Sequence, residues 1–441
     1  MNTPDKNLLH SLREYSIPLV FGVIAALVFA NVAPDTYHYL MGVGHGAAVW
    51  EFPGGLALFG HHLTLNYLIN DIFMVFFFGI AAKQIVQACS PGGNLHPIKR
   101  VVNPLFATAG GVVGPIAVFF AALAVAHNTG AFPGETELNQ LQSGWAIPSG
   151  TNIALAWVVA RVVFGRRHAA IDFLLLFAVA GVAVTMFHGN VANPVQPQWL
   201  LMVAAAMVVA YGMRKARVSS WVPYVAIAGP MAWSGLVLAN LHPALALVFV
   251  VPFLPGQNRD AGTHVGHGAH ASHSPQHAFE HRFAGFVDYG LFFFALANAG
   301  VQFGQIGPMT WVVVAALVVG NPVGVSLFSY LGNKIGYPLP DRVGVRELFT
   351  VGFVAVSVAL VAASAAYPAS PVLVQAQMGA LLSGGVGIVA IVLGRNLGAG
   401  RGSSSVASTV MSSVDTGASQ DVEEVSGALP HADEVREREA A

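Results

Sequence analysis

Charge is scarce in this chain: Asp, Glu, Lys and Arg together make up 9% of its 441 residues, while hydrophobic residues make up 55% and the mean hydropathy is +0.63. That balance excludes an ordinary soluble globular protein and points to a polytopic membrane protein. Neither sign of charge is in excess, since the net charge is −1, so no nucleic-acid partner is expected. Cysteine is almost absent. The one residue of that type, Cys89, excludes an intramolecular disulfide and reads as a small apolar residue near a helix end. No glycine-rich nucleotide-binding loop occurs, which argues against a primary pump.

What the chain does have is long apolar runs of the length that a bilayer core demands. Twelve are counted, near 15–33, 66–88, 103–127, 143–164, 170–187, 197–213, 222–239, 241–256, 284–303, 308–332, 347–367 and 372–394. With the N-terminus inside, all twenty Lys and Arg residues fall in inner positions, and Asp35, Glu51, Glu135 and Glu137 fall in outer loops. The expected organisation is an inner segment over 1–14, a twelve-helix domain over 15–396 and a disordered tail over 397–441. The tail is assigned on its Gly, Ser, Ala and Glu content, which cannot bury a core. Both termini are then cytoplasmic, in a multi-pass protein of the cell inner membrane.

One run carries a flaw. In "GWAIPSGTNIALAWVVARVVFG", Pro148 to Asn152 gather poor helix formers near the centre of a span. The residues alone leave two readings: a kink supported by neighbouring helices, or a discontinuous helix whose half-helix ends aim partial charge at a midplane site.

Seven blocks then appear in order: "NYLINDIFMVFFFGIAAK" (66–83), "PLFATAGGVVGP" (104–115), "GWAIPSGTNIALA" (144–156), "HPALALVFVVPFLP" (242–255), "SPQHAFEHRF" (274–283), "ALANAGV" (295–301) and "GNPVGVSLF" (320–328). Together they resemble the NhaA-type sodium/proton antiporters over residues 10 to 396. The resemblance implies an all-α fold of inverted repeats, in which spans four and eleven are broken and cross. It implies monovalent cation/proton antiport by a carrier, not an enzyme, with no cofactor. The implied partners are sodium, protons and the lipid bilayer, and a homodimer is compatible with it.

Residue by residue, the resemblance places an aspartate of span four on Asn152, an aspartate pair of span five on Gly181 and Val182, and a lysine of span ten on Asn321. All four positions are neutral here. The family chemistry needs a carboxylate at which a proton and a cation compete, so the usual mechanism is in question. The alternatives are a carrier of another neutral or anionic solute, held by Ser149, Thr151, Asn152 and exposed backbone, or a non-transporting sensor or assembly component. The acids inside the runs are Asp71, Asp172 and Asp288, each read as lying near a membrane face, with Asp71 matching an acidic position of the family. Glu280 and His281 match positions that the resemblance assigns to pH sensing. His264, His267, His270 and His273 lie in a His-rich inner loop over 257–281. They could bind a metal if helical, but the Gly-rich composition favours a solvated insertion with no metal. The "GGVVG" of 110–114 reads as a close helix-packing face.

Overall fold

The computed structural model describes residues 17–41, 50–51, 57–59, 61–132, 138–149, 153–165, 168–186, 194–256, 274–303, 306–355 and 371–396. These form an all-α bundle, the fold class that composition implied. In chain order the helices are α1 Ile17–Val32, α2 Pro34–Met41, α3 Leu65–Cys89, α4 Ile98–Asn128, α5 Ile153–Phe164, α6 Ala169–Met186 and α7 Leu200–Lys215. They continue as α8 Tyr224–Leu238, α9 Pro243–Phe253, α10 Pro275–Asn298, α11 Pro308–Ile335, α12 Val345–Val354 and α13 Pro371–Asn396. By length and composition α3, α4 and α11 can each cross a bilayer. A two-stranded hairpin, Ala57–Leu58 against His61–His62, and helix α2 join α1 to α3, and neither was legible in the hydropathy.

Long-range contacts sort the bundle into two ends. At one, Lys83 of α3 meets Glu280 of α10, Asn94 meets Asp172 of α6, and Arg100 of α4 holds Asp341 through two hydrogen bonds of 2.7 and 2.8 Å. At the other, the Tyr37 hydroxyl donates to the Leu296 carbonyl, Asn31 donates to the Val301 carbonyl, and the Trp233 ring N–H donates to the Asp71 carbonyl at 2.8 Å. The first end carries Lys83 and Arg100.

Small residues set how closely the helices approach. Gly110 and Gly114 of α4 lie against Gly324 and Gly320 of α11, two glycine pairs at four-residue spacing, so the two backbones touch. The packing face read from "GGVVG" is therefore present, and its partner is α11.

Three π turns interrupt the described helices, at Leu68–Phe73, Tyr224–Ala228 and Ala316–Gly320. Two have a cause in the sequence. Pro230 and Pro322 follow closely behind, and a proline cannot donate the backbone hydrogen bond that would close the preceding α turn. No proline follows the first, which holds Asp71.

Helix α10 begins at Pro275, well before the expected start at 284. Ser274 caps it by accepting from the His277 N–H at 3.3 Å, and Pro275 takes the first helical position, where no donor is needed. The expected loop over 257–281 is accordingly shorter, since 275–281 are helical. Asp288 sits near the middle of α10 instead of close to its inner end.

Candidate functional site

The flawed segment of span four is broken in the structure. Leu138–Gln142 is followed by 3-10 turns over Ser143–Ser149 that contain Pro148, and α5 restarts at Ile153. The 3-10 segment packs against α6 and against the π turn of α11. Ser149 ends it. Thr151 and Asn152 lie outside the described residues, as do His264, His267, His270 and His273. Span eleven, expected to be broken, starts as α12, which ends at Val354; the rest of the span falls on 356–367, also outside the described residues.

Three of the neutral positions lie on α6 and α11, two of the helices that the 3-10 segment packs against. Gly181 of α6 is buried, and a Cβ built on it would meet no described atom within 4 Å. Val182 is partly buried. Asn321 is 1% exposed, and among the described residues its side-chain oxygen has no hydrogen-bond partner. That oxygen faces Gly111 of α4, on which the Phe177 ring of α6 also packs. One turn away, the Thr108 hydroxyl of α4 donates to the Phe177 carbonyl at 3.1 Å, tying α4 to the helix that carries Gly181. A buried amide oxygen without a donor costs about 1–3 kcal/mol, and Asn321 therefore stands ready to accept from a hydrogen-bond donor or a cation.

Asp71 lies at the opposite end from the basic residues, as expected. Its carboxylate is 3.5 Å from His242 Nδ1, and the same nitrogen is 3.4 Å from the Ala244 N–H at the start of α9. Only one of these can be a hydrogen bond at a time: an unprotonated Nδ1 caps α9, whereas a protonated one donates to Asp71. His242 can therefore either cap α9 or bind Asp71, depending on its protonation. Nearby, Asn298 donates to Asn70 at 2.9 Å and Asn70 donates to Asn66 at 2.8 Å, a chain of amides that links α10 to α3.

At the basic end, Lys83 is inside α3, with its side chain 6% exposed, and it pairs with Glu280 at 2.6 Å. Glu280 is partly buried and His281, next to it, is exposed. The pair was missed because Lys83 was counted as an inner positive charge and Glu280 as a sensor match, on helices 197 positions apart. A lysine embedded among Gly79, Ile80, Ala81 and Ala82 was the available signal, since such a residue needs a countercharge. Glu280 also lines a polar cavity of about 370 Å³ with Gln84, Gln87, Asn94, Trp157, Arg161 and Asp172. Arg161 lies over the Trp157 ring, 4.6 Å from its centroid.

The sequence model of the family described as Na+/H+ antiporter 1 matches residues 6–395. The Na(+)/H(+) antiporter NhaA of Geobacter sulfurreducens is 45% identical over 397 residues, covering 88% of this chain and 97% of that protein. The protein of the same name from Desulfitobacterium hafniense is 43% identical over 402 residues, covering 89% and 97%. That of Jannaschia sp. is 37% identical over 415 residues, covering 86% and 96%.

Proposed function

Because the chain belongs to the Na+/H+ antiporter 1 family, we propose that it exchanges Na+ for H+ across a membrane. The observation that carries this reading is identity of 45%, spread over nearly the whole of a relative named as such an exchanger. The apolar helices, the break before Ile153 and its packing against α6 and α11 support it as a carrier architecture. We read residues 15–396 as the membrane domain, with both termini on the side of the basic residues and the cell inner membrane as its location. The substrates are Na+ and protons, and no cofactor is involved.

A second reading has one specific observation in its favour. Asn321 offers a buried oxygen with no hydrogen-bond partner among the described residues, and no described atom lies within 4 Å of a Cβ at Gly181, where the family resemblance expects a carboxylate. A neutral, hydrogen-bond-donating solute suits such surroundings better than a proton-displacing cation.

One experiment separates the two. Native protein and a variant carrying N152D, G181D, V182D and N321K are reconstituted in proteoliposomes with an imposed pH gradient. Sodium-dependent proton movement by the native protein supports exchange. Movement by the variant alone overturns it and favours the second reading.

A further inference from the structure

If the chain exchanges Na+ for H+, some carboxylate must take each in turn, and the resemblance places none where the family has it. The described acids near or within the helices differ in what already holds them: Asp288 of α10 has a partner, and Glu347 of α12 accepts from the Gly344 N–H at 2.9 Å. Glu280 is engaged by Lys83 at 2.6 Å. Asp341 is held by Arg100 through both oxygens. Asp71 stands beside His242 at the far end.

Asp172 is different. It is half-buried at the start of α6, on the helix that carries Gly181 and Val182, roughly 13 Å before them at 1.5 Å per residue. Among the described residues it accepts one hydrogen bond, from Asn94 at 2.7 Å, and no Lys, Arg or His lies within ion-pair distance. Its side chain lines the 370 Å³ cavity, which offers the amides of Gln84 and Gln87 and has room for a hydrated ion. The charged groups around it are Arg161 on α5, stacked over Trp157, and Glu280 on α10, neutralised by Lys83 on α3. Beyond the start of α6, His168 stands under the influence of Glu347 and Arg342. A carboxylate with one neutral donor and open polar space is the group that still needs a cation or a proton.

We propose that this cavity is the site where Na+ and H+ compete at the basic end of the bundle, with Asp172 as the exchanging carboxylate. The proposal rests on the exchanger reading above. The step balances at one group: the carboxyl O–H bond breaks, the proton leaves into cavity water, and the resulting carboxylate takes one Na+, so charge at the site is unchanged. Asn94 is a positioning residue that holds the carboxylate toward the cavity.

The test uses the purified full-length chain. Thermal unfolding is followed with NaCl, LiCl or choline chloride between pH 5.5 and 8.5, and Na+-driven proton movement is measured in proteoliposomes. NaCl is expected to raise the native unfolding temperature at pH 8.5 and to do so less at pH 5.5. D172N should lose that response or need at least tenfold more Na+, and D172E should restore it with a shifted pH profile. An unchanged Na+ response in D172N overturns the proposal, as does a native protein with none. If D172N does not fold, N94L decides: it keeps the carboxylate but removes its donor, so the Na+ response should persist and shift to higher pH. An unshifted profile in N94L counts against the site. A native protein that binds Na+ through Asp172 but moves no protons sinks the exchanger reading alone. Native exchange that D172N shares leaves that reading standing and removes the site.

Discussion

Gly110 of α4 and Gly324 of α11 meet backbone to backbone, and a methyl group on either would collide with the other's carbonyl. This contact fixes how α11 lies against α4 and therefore where Asn321, three residues before Gly324, presents its side chain.

Substitution at that contact should accordingly be costly, whereas substitution at Gly181 should not be. G110V forces the two backbones apart and is expected to destabilise by about 3 kcal/mol, the upper end for overpacking. G181A adds a methyl group that meets no described atom within 4 Å and should stay within about 0.5 kcal/mol of the native protein. Chemical denaturation in detergent measures both. Equal losses for the two variants would show that the close approach of α4 and α11 is not what holds the bundle.

The Lys83 and Glu280 pair should respond asymmetrically to removal of one partner. The Lys83 side chain is 6% exposed and that of Glu280 is 29% exposed. Glu280→Gln leaves a buried ammonium without its countercharge and should cost about 3 kcal/mol, whereas Lys83→Met leaves a carboxylate that water can reach and should cost about 1 kcal/mol. The unfolding midpoints of the two variants at neutral pH decide the order. The reverse order would mean that Glu280, not Lys83, bears the desolvation.

Acid should weaken the fold through His168. This residue is 8% exposed, stacks on Phe164 at 5.4 Å and accepts from the Ala170 N–H with Nδ1 at 3.2 Å, a bond that only an unprotonated Nδ1 can make. Burial holds its pKa below the ordinary 6.5, with Glu347 opposing and Arg342 reinforcing the shift. The unfolded chain therefore takes up the proton first. Stability from this group is full above pH 6.5 and falls as pH drops from there toward the folded-state pKa. The difference in unfolding temperature between pH 7.5 and pH 5.5 should shrink in H168Q. An unchanged difference would assign the acid sensitivity to other groups.

The element pattern was legible in the sequence because hydropathy is a property of the chain itself. Runs of bilayer length predicted helices at nearly every place where the described residues have one. The break before Ile153 was legible too, since Pro148 cannot donate to the preceding turn wherever it is placed. The apolar run set the start of α10 too late, because the first two turns carry the polar Gln276, His277, Glu280 and His281.

The partners of the polar groups, by contrast, were decided by tertiary structure. That Lys83 pairs with Glu280, that Asp172 meets Asn94 and not a cation, and that the Asn321 oxygen has no donor depend on which helices are neighbours. In a bilayer, lipid tails solvate an apolar helix face as well as another helix does, so apolarity places helices in the membrane without choosing their partners. The choice comes from steric fit at a few positions, Gly110 and Gly114 on Gly320 and Gly324 above all, and those contacts join residues about 210 positions apart. The sequence by itself therefore determined an all-helical membrane chain, its broken span and the neutral residues around the break. Only the packing of α3, α6 and α10 about one polar cavity decided that Asp172, among the described residues, meets Asn94 and no cation.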